Sequence, residues 1–450
     1  MWYILYNLAL IVASPAILII LLAKQRCRRG LPQRVGWLTH ESSDQPVIWV
    51  HAVSLGEVTA AVPLVRMLHV QHPGHRLIVT TVTETGREAV EQRLAGVAEH
   101  RYAPLDFAWV VSSVVERLRP ALFICVETEL WPNLLRVLSR RGVPVVLVNG
   151  RLSSRSYRGY RLIRPLMKQM LAAVTCLMQS SRDAERITNL GAPADRVVCT
   201  GNIKFDQPVP EIDQMGSDAL RNLLLTDGEE LFVAGSTHPG EEEQLLDCYR
   251  RLLQEFPHLV LLFAPRHIER ADQVEAAVTA RGFAAVRRSV RVSASTAVKG
   301  PRVVILDTRG ELANVYRYAV VTFVGGTLVP IGGHNLLEPA IWRKPVFFGP
   351  YTDHCAAIAD LLLLAEGGRR ATDGAELAVH IGAVLRDRSA LERMGHAAEQ
   401  VVIDNRGALE RTVRVITHLL RAGASNAKHE PNSMRAFLID MPDSRSNGKR

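Results

Sequence analysis

None of the short motifs that mark the commoner nucleotide and hydrolase chemistries occurs in this sequence of 450 residues. A Walker A loop, a G-x-G-x-x-G after the first strand-like run, an H-E-x-x-H and a G-x-S-x-G are all missing, which leaves kinase, dehydrogenase, zinc-protease and serine-hydrolase readings without support. Also missing is Asp-x-Asp, a carboxylate pair suited to bridging a metal to a nucleotide sugar, so a metal-bridged donor is not favoured, and no other motif here calls for a cofactor. Cys27, Cys125, Cys176, Cys199, Cys248 and Cys355 are scattered, with no C-x-x-C and no histidine at metal spacing, and read as single thiols in a reducing compartment. Charge is absent from the first 23 residues; the first charged side chain is Lys24.

That uncharged stretch, coiled as a helix, rises roughly 1.5 Å per residue, enough to cross a ~30 Å hydrocarbon core. Trp2, Tyr3 and Tyr6 stand where interfacial aromatics gather, while Lys24, Arg26, Arg28, Arg29 and Arg34 crowd the other end. Residues 1–23 are therefore expected to form a single transmembrane helix, with the rest of the chain on the cytoplasmic side. A cleaved signal peptide would carry its positive charges before the apolar run, not after it. The formal net charge of +9 favours an anionic partner, whether nucleic acid, phospholipid headgroups or a phosphorylated small molecule.

A chain of this length with 48% hydrophobic residues is too large for one core, and two domains are the default. Short apolar runs alternate with helical patterns, the signature of parallel strands joined by crossover helices. The runs are 46–52, 76–82, 121–126, 143–148, 174–178 and 196–200, then 231–234, 259–264, 283–286, 303–306, 319–324 and 345–348. Each series makes one doubly wound α/β sheet. The expected organisation is an anchor (1–23), a basic linker (24–45), a first domain (46–206), a linker with Pro208 and Pro210 (207–216), a second domain (217–421) and a disordered polar tail (422–450).

Ligands of open parallel sheets bind beyond the carboxyl ends of the strands, so chemistry is sought there. After the first run stands His51-Ala52-Val53-Ser54-Leu55-Gly56-Glu57, where Glu57 fits either a capping box with Ser54 or a general base. The third run leads into Glu127-Thr128-Glu129-Leu130-Trp131-Pro132-Asn133, with two carboxylates. After Asn149-Gly150-Arg151, basic residues at Arg155, Arg158, Arg161, Arg164 and Lys168 spread over a helix face with no acid among them, suited to an anion. Lys204 closes the first series. In the second, Ser236 to Gly240 forms a strand-to-helix turn suited to phosphate, and Pro265-Arg266 follows a strand, where Arg266 has the fork geometry for phosphate oxygens. Arg309-Gly310-Glu311 closes another strand. The run from Phe323 to Pro339 is dense in glycine, and a helix is expected to start at Asn335, with Asn335 and Glu338 as either cap residues or ligand groups.

Taken together, HAVSLGE (51–57), ETELWPN (127–133), NGRLS (149–153), GNIKFD (201–206), AGSTHPGEE (234–242) and GGHNLLEPA (332–340) resemble the Kdo (3-deoxy-D-manno-octulosonic acid) transferase family from the apolar segment to about residue 420. The resemblance implies a GT-B fold of two Rossmann-like domains, the first binding acceptor and the second nucleotide, at the bacterial inner membrane. It implies CMP-Kdo as donor, a lipid A precursor (lipid IVA) as acceptor, and no metal. Residue by residue, Glu57 matches the proton acceptor; Glu127 and Lys204 match groups that stabilise the transition state. Pro265, Arg266, Arg309, Gly310, Glu311, Asn335, Leu336, Leu337 and Glu338 match CMP-contacting segments, with only a backbone role safe at Arg309. A UDP-sugar transferase acting on another lipid-linked acceptor remains the nearest alternative. A nucleic-acid binder has only the net charge in its favour, since the basic residues lack interleaved aromatics or a known module, and no nucleic acid is expected.

Overall fold

The computed structural model describes residues 1–23, 29–37, 45–207, 220–222, 224–290 and 301–424. Lys24, Arg26 and Arg28, nearly all of the expected 207–216 linker and the tail beyond residue 424 lie outside the described residues. The chain divides into two compact units, Met1–Gln207 joined by everything from Asn405 onward, and Pro208–Asp404.

The first unit opens with helix α1 (Trp2–Ala23) and the short α2 (Leu31–Arg34). Its sheet holds β1 (Val47–His51), β2 (Arg76–Thr81), β3 (Glu99–Tyr102), β4 (Pro120–Val126), β5 (Val145–Gly150), β6 (Val174–Met178) and β7 (Val197–Cys199), in the order β3-β2-β1-β4-β5-β6-β7, every pair parallel. Central strands of a parallel sheet are covered on both faces, which is why they read as unbroken apolar runs. Ile48, Val50, Ile124 and Val146 enter the core on one face; Val47, Trp49, Phe123 and Leu147 enter that on the other. Helix α3 (Leu55–Gln71) follows β1 and buries Val58, Ala61, Leu64, Val65 and Leu68, a single stripe at three- and four-residue spacing. Pro132 sits at the start of α4 (Pro132–Arg140), where its missing N–H costs nothing; the next two amides donate to the Asp106 carboxylate at 3.0 and 2.8 Å. The basic face expected over residues 151–168 falls on α5 (Ser154–Leu162) and α6 (Arg164–Leu171), with Arg155, Arg158, Arg161, Arg164 and Lys168 exposed.

The second unit repeats the plan with β8 (Glu230–Thr237), β9 (Leu259–Pro265), β10 (Ala284–Arg287), β11 (Arg302–Ile305), β12 (Ala319–Val324), β13 (Val346–Phe348) and β14 (Gly368–Arg370). The order is β10-β11-β9-β8-β12-β13-β14, again parallel throughout. Helix α7 (Glu242–Leu252) follows β8, and the one-turn α8 (Leu337–Ala340) follows the glycine-rich loop. Each sheet thus has seven strands where six were expected. The two extra ones, β3 and β14, are edge strands of sequence EHRY and GRR, and an edge strand needs no apolar run.

One boundary differs from expectation. The second domain was expected to run to residue 421, but the last helix, α9 (Ala408–Ala424), belongs to the first unit. Its apolar stripe of Leu409, Val413, Ile416, Leu419 and Leu420 joins the core around Ile48, Leu64 and Val146. Asp206, at the end of the first pass through that unit, accepts the amides of Gly407 and Leu409 at 2.6 and 2.7 Å, capping the helix from 201 residues away. Arg411 Nε adds a bond to Thr200 O at 2.9 Å. Since a lost N-terminal cap costs ~1–2 kcal/mol, Asp206→Ala is expected to lower the first unit's denaturation midpoint by that equivalent in urea unfolding. An unchanged midpoint would show that α9 does not rest on this contact.

Candidate active site

In the first unit the strand ends bring three of the expected residues together. Glu57, in the first turn of α3, accepts from the amides of Val53 and Ser54 at 2.5 and 3.3 Å and from the Ser54 hydroxyl at 3.2 Å. The capping-box geometry is therefore real, and it holds the carboxylate in one place. The same carboxyl is pushed up to about 7, first by burial, then by the nearby charge of Glu129, with Glu127 adding to it and the amide bonds opposing it. Capping and proton acceptance are compatible here, since the amides orient a group that burial makes basic.

Glu127 directly follows β4 with φ at 60°, a left-handed conformation that few non-glycine residues adopt. Its amide still donates to Val148 O at 2.9 Å, and its carboxylate meets Lys204 Nζ at 3.7 Å. Lys204 is held by a relay of backbone contacts. Buried Asn149, on β5 and also left-handed at φ 54°, accepts the Ile203 amide at 3.1 Å, and Asn202 accepts the Lys204 amide at 3.0 Å. Trp131 Nε1 donates to Glu129 at 3.1 Å, and its ring stands edge-on to His51 at 4.8 Å. His51 is completely buried, bonded through Nδ1 to Thr80 Oγ1 at 2.9 Å, and burial lowers it to about 3, so it is a neutral structural imidazole.

In the second unit, Arg266 follows β9 with its side chain exposed and no carboxylate paired to it among the described residues. Its charge also reaches the half-buried Glu338, whose carboxyl is raised by loss of water and whose Oε1 accepts from Asn335 Nδ2 at 3.2 Å. Asn335 Oδ1 in turn accepts the Leu337 amide at 3.2 Å, so the expected helix start at Asn335 is an Asx turn leading into α8. Leu336 and Leu337 are core side chains, leaving only their backbone for a ligand, and Pro265 is buried as the last residue of β9. The turn at Arg309-Gly310-Glu311 is differently occupied: Arg309 pairs with Glu269 at 3.0 Å on the surface, Glu311 accepts from Arg288 at 3.0 Å, and Gly310 has φ 85°.

Two features were not singled out from the sequence. Glu241, fully buried, accepts four backbone amides: His238 at 3.0, Gly326 at 2.7, Thr327 at 3.0 and Leu328 at 2.9 Å. A carboxylate of the chain thus occupies the His238 amide of the turn that was expected to bind phosphate, together with three amides of the glycine-rich run. The glycines have a packing reason as well. A Cβ on Gly325 would stand 2.4 Å from Ser236 O, and one on Gly349 would stand 2.1 Å from Thr327 O. Beside this loop, His238 Nε2 and His334 Nε2 are 2.8 Å apart in coplanar rings, so one nitrogen carries a proton and the other accepts it. Burial and the neighbouring His238 and Arg266 lower His334 to about 4. The signal for both features was the recurrence of His and Glu at strand ends, but pairing across 96 residues leaves no mark on local spacing.

Two doubly wound parallel sheets in separate units, each with a polar station at its strand ends, make the GT-B fold. Solved structures share this fold: a glycosyltransferase from Rickettsia africae (TM-score 0.56, 11% identity, 84% of this chain and 99% of that one) and a UDP-GlcNAc 2-epimerase from Neisseria meningitidis (0.56, 12%, 83% and 100%). A family model described as 3-deoxy-D-manno-octulosonic-acid transferase (kdotransferase) matches residues 29–207. The 3-deoxy-D-manno-octulosonic acid transferase of Haemophilus influenzae is 35% identical over 423 residues, 92% of this chain and 98% of that protein. That of Bordetella pertussis is 32% identical over 378 residues, 81% and 86% of the two. This chain belongs to the Kdo transferase family.

Glu241→Gln tests the loop anchor. A glutamine offers one acceptor oxygen, and its NH2 faces backbone donors, so a loss of about 2–4 kcal/mol is expected in denaturant unfolding of the second unit. Retained stability would mean that the loop holds itself.

Proposed function

We propose that this protein transfers Kdo from CMP-Kdo to a lipid A precursor of the lipid IVA type, in lipopolysaccharide biosynthesis at the cytoplasmic face of a bacterial inner membrane. Support for the sugar comes from the family; support for an anionic, membrane-borne acceptor comes from the apolar α1 and the exposed arginines of α5 and α6. The observation that carries the mechanism is the Glu57 carboxyl, held by two amides and raised to about 7. A group of that basicity takes a proton from a sugar hydroxyl as its oxygen attacks the anomeric carbon. The bond from that carbon to the CMP phosphate oxygen breaks, its electron pair leaves with CMP, and the configuration inverts. The phosphate departs as a stable anion, so the demand is for positive charge rather than a strong acid. Arg266, Asn335 and Glu338 are assigned to the nucleotide, with the backbone of Pro265, Leu336, Leu337 and the 309–311 turn. Glu127 and Lys204, paired at 3.7 Å, are assigned to the transition state: the Glu127 carboxylate offsets the positive charge of the oxocarbenium-like sugar, and Lys204 offsets the negative charge that develops on the leaving phosphate.

Glu57→Gln keeps the acceptor for the Val53 and Ser54 amides but takes no proton, so turnover is expected to fall at least ~100-fold with CMP-Kdo affinity nearly unchanged. In the native enzyme kcat/KM is expected to fall with unit slope as pH drops below about 7, where Glu57 becomes protonated. The stability linkage has the opposite sense. A raised carboxyl stabilises the folded state at low pH, and this contribution is lost as pH rises from the ordinary carboxylate range through about 7. The thermal midpoint of Glu57→Gln relative to the native chain should therefore be higher at pH 8 than at pH 5. Substantial turnover by the folded variant would remove Glu57 from the base role. For the donor site, Arg266→Ala is expected to weaken CMP binding by about 1.5–3 kcal/mol in calorimetry, and unchanged affinity would refute its assignment.

A further inference from the structure

Helix α1 is covered along one stripe and bare along the other. Tyr3, Asn7, Leu10, Ser14, Ile17 and Leu21, alternately three and four residues apart and so on one face, are buried or partly buried along the whole helix. Ile4, Leu8, Ile11, Val12, Leu18 and Ile19 are more than half exposed. The Tyr6 hydroxyl and the Asn7 amide meet the rest of the protein, while these large apolar side chains face out, the opposite of an ordinary surface helix.

The N-terminal end of the covered side is specifically docked. Tyr3 enters the first unit's core beneath the Arg136 guanidinium, 4.3 Å from its ring centre, and α1 packs against α6. Asn7 and Asn133 exchange amide hydrogen bonds at 3.0 and 2.9 Å, and the Tyr6 hydroxyl donates to Asp106 at 2.8 Å, the same carboxylate that caps α4. The chain then returns to where it started. The amide of Leu105, next to Asp106, donates to Arg34 O at 2.8 Å, and Arg34 Nη2 donates to Val82 O at 2.7 Å. Residues 6 and 34 thus meet adjacent residues of one loop. A helix crossing a ~30 Å hydrocarbon core has its two ends on opposite sides. Crossing would also carry Asp106, Arg136 and the exposed Arg164 and Lys168 of α6 into lipid, where charge is strongly disfavoured.

We propose that α1 lies in the plane of the membrane interface, clamped lengthwise on the first unit, with its bare face in the acyl region of a bilayer and its N-terminus on the same side as the catalytic units. The chain is then held on the membrane without passing through it. This rests on the membrane attachment proposed above and replaces the crossing expected from length and composition.

The test is topological and does not depend on transferase activity. A protease-cleavable tag is added ahead of Met1 of the full chain, and protease is applied outside intact spheroplasts and, separately, outside inverted inner-membrane vesicles. Cleavage is expected only in the inverted vesicles; cleavage in intact spheroplasts would show that α1 crosses and would overturn the proposal. In flotation with vesicles of phosphatidylethanolamine and phosphatidylglycerol, Ile11→Ser/Val12→Ser is expected to weaken binding at least ~10-fold. Its thermal midpoint should stay nearly unchanged, because those side chains are mostly exposed. Asn7→Leu should do the reverse, lowering the midpoint while vesicle binding persists. Undiminished flotation of the double variant would overturn the lipid-facing assignment, and a native chain that does not float would overturn membrane attachment along with it.

Discussion

The loops that form the site are held by carboxylates that take up backbone amides, and Glu241 is the deepest case. Four N–H groups converge on a side chain with no exposure, so the glycine-rich loop has its shape before any ligand arrives. The first unit uses the same device more sparingly. Asp106 takes two amides of α4, Asp183 takes the Leu152 amide at 2.8 Å, and Asp206 takes two amides at α9. The amide donors oppose the rise that burial imposes on the Glu241 and Asp106 carboxyls, because oriented dipoles replace part of the water each lost. Loops tied in this way need little reorganisation when charge develops beside them.

Glu57 shows the other use of the same chemistry. Its two amide bonds favour the charged form, yet burial and the neighbouring Glu129 outweigh them, and the carboxyl ends near neutrality. Burial is the larger push and the second carboxylate the smaller one, so the group that anchors two amides also serves as the base. Lys204 limits the repulsion by pairing with Glu127, so the cluster carries three acids and one cation within a single set of strand ends.

Much of this was legible beforehand because parallel strands buried on both faces cannot hide: the runs around Ile48, Ile124, Leu147, Phe232 and Leu262 are apolar without interruption. The strand-end positions of Glu57, Glu127, Lys204, Arg266 and Asn335 followed from those runs. What escaped was whatever depended on partners distant in sequence. β3 and β14 pair along one edge only and carry polar residues, so nothing local marks them. The helix 408–424 has a clear apolar stripe, but a stripe does not name the surface that it covers. The glycines of the 325–333 loop looked like space for a ligand, whereas Gly325 is required by the Ser236 carbonyl 2.4 Å away. For α1, hydropathy measured how much apolar surface there was and was silent on Asn7 and Tyr6, whose meaning depends on Asn133 and Asp106.

The return of α9 to the first unit sets the order in which the protein can be completed on the ribosome. Asp206 emerges 201 residues before Gly407, the amide it caps. At ~5–20 residues per second, the groove lined by Ile48, Leu64 and Val146 waits about 10–40 s for the helix that closes it, while the whole second unit is being made. During that interval the nascent first unit presents an open apolar slot, a natural place for a chaperone to sit. The same discontinuity constrains recombination between relatives: exchanging the second unit takes two junctions, one near residue 208 and one near 404, because a single crossover would leave a sheet with another protein's closing helix.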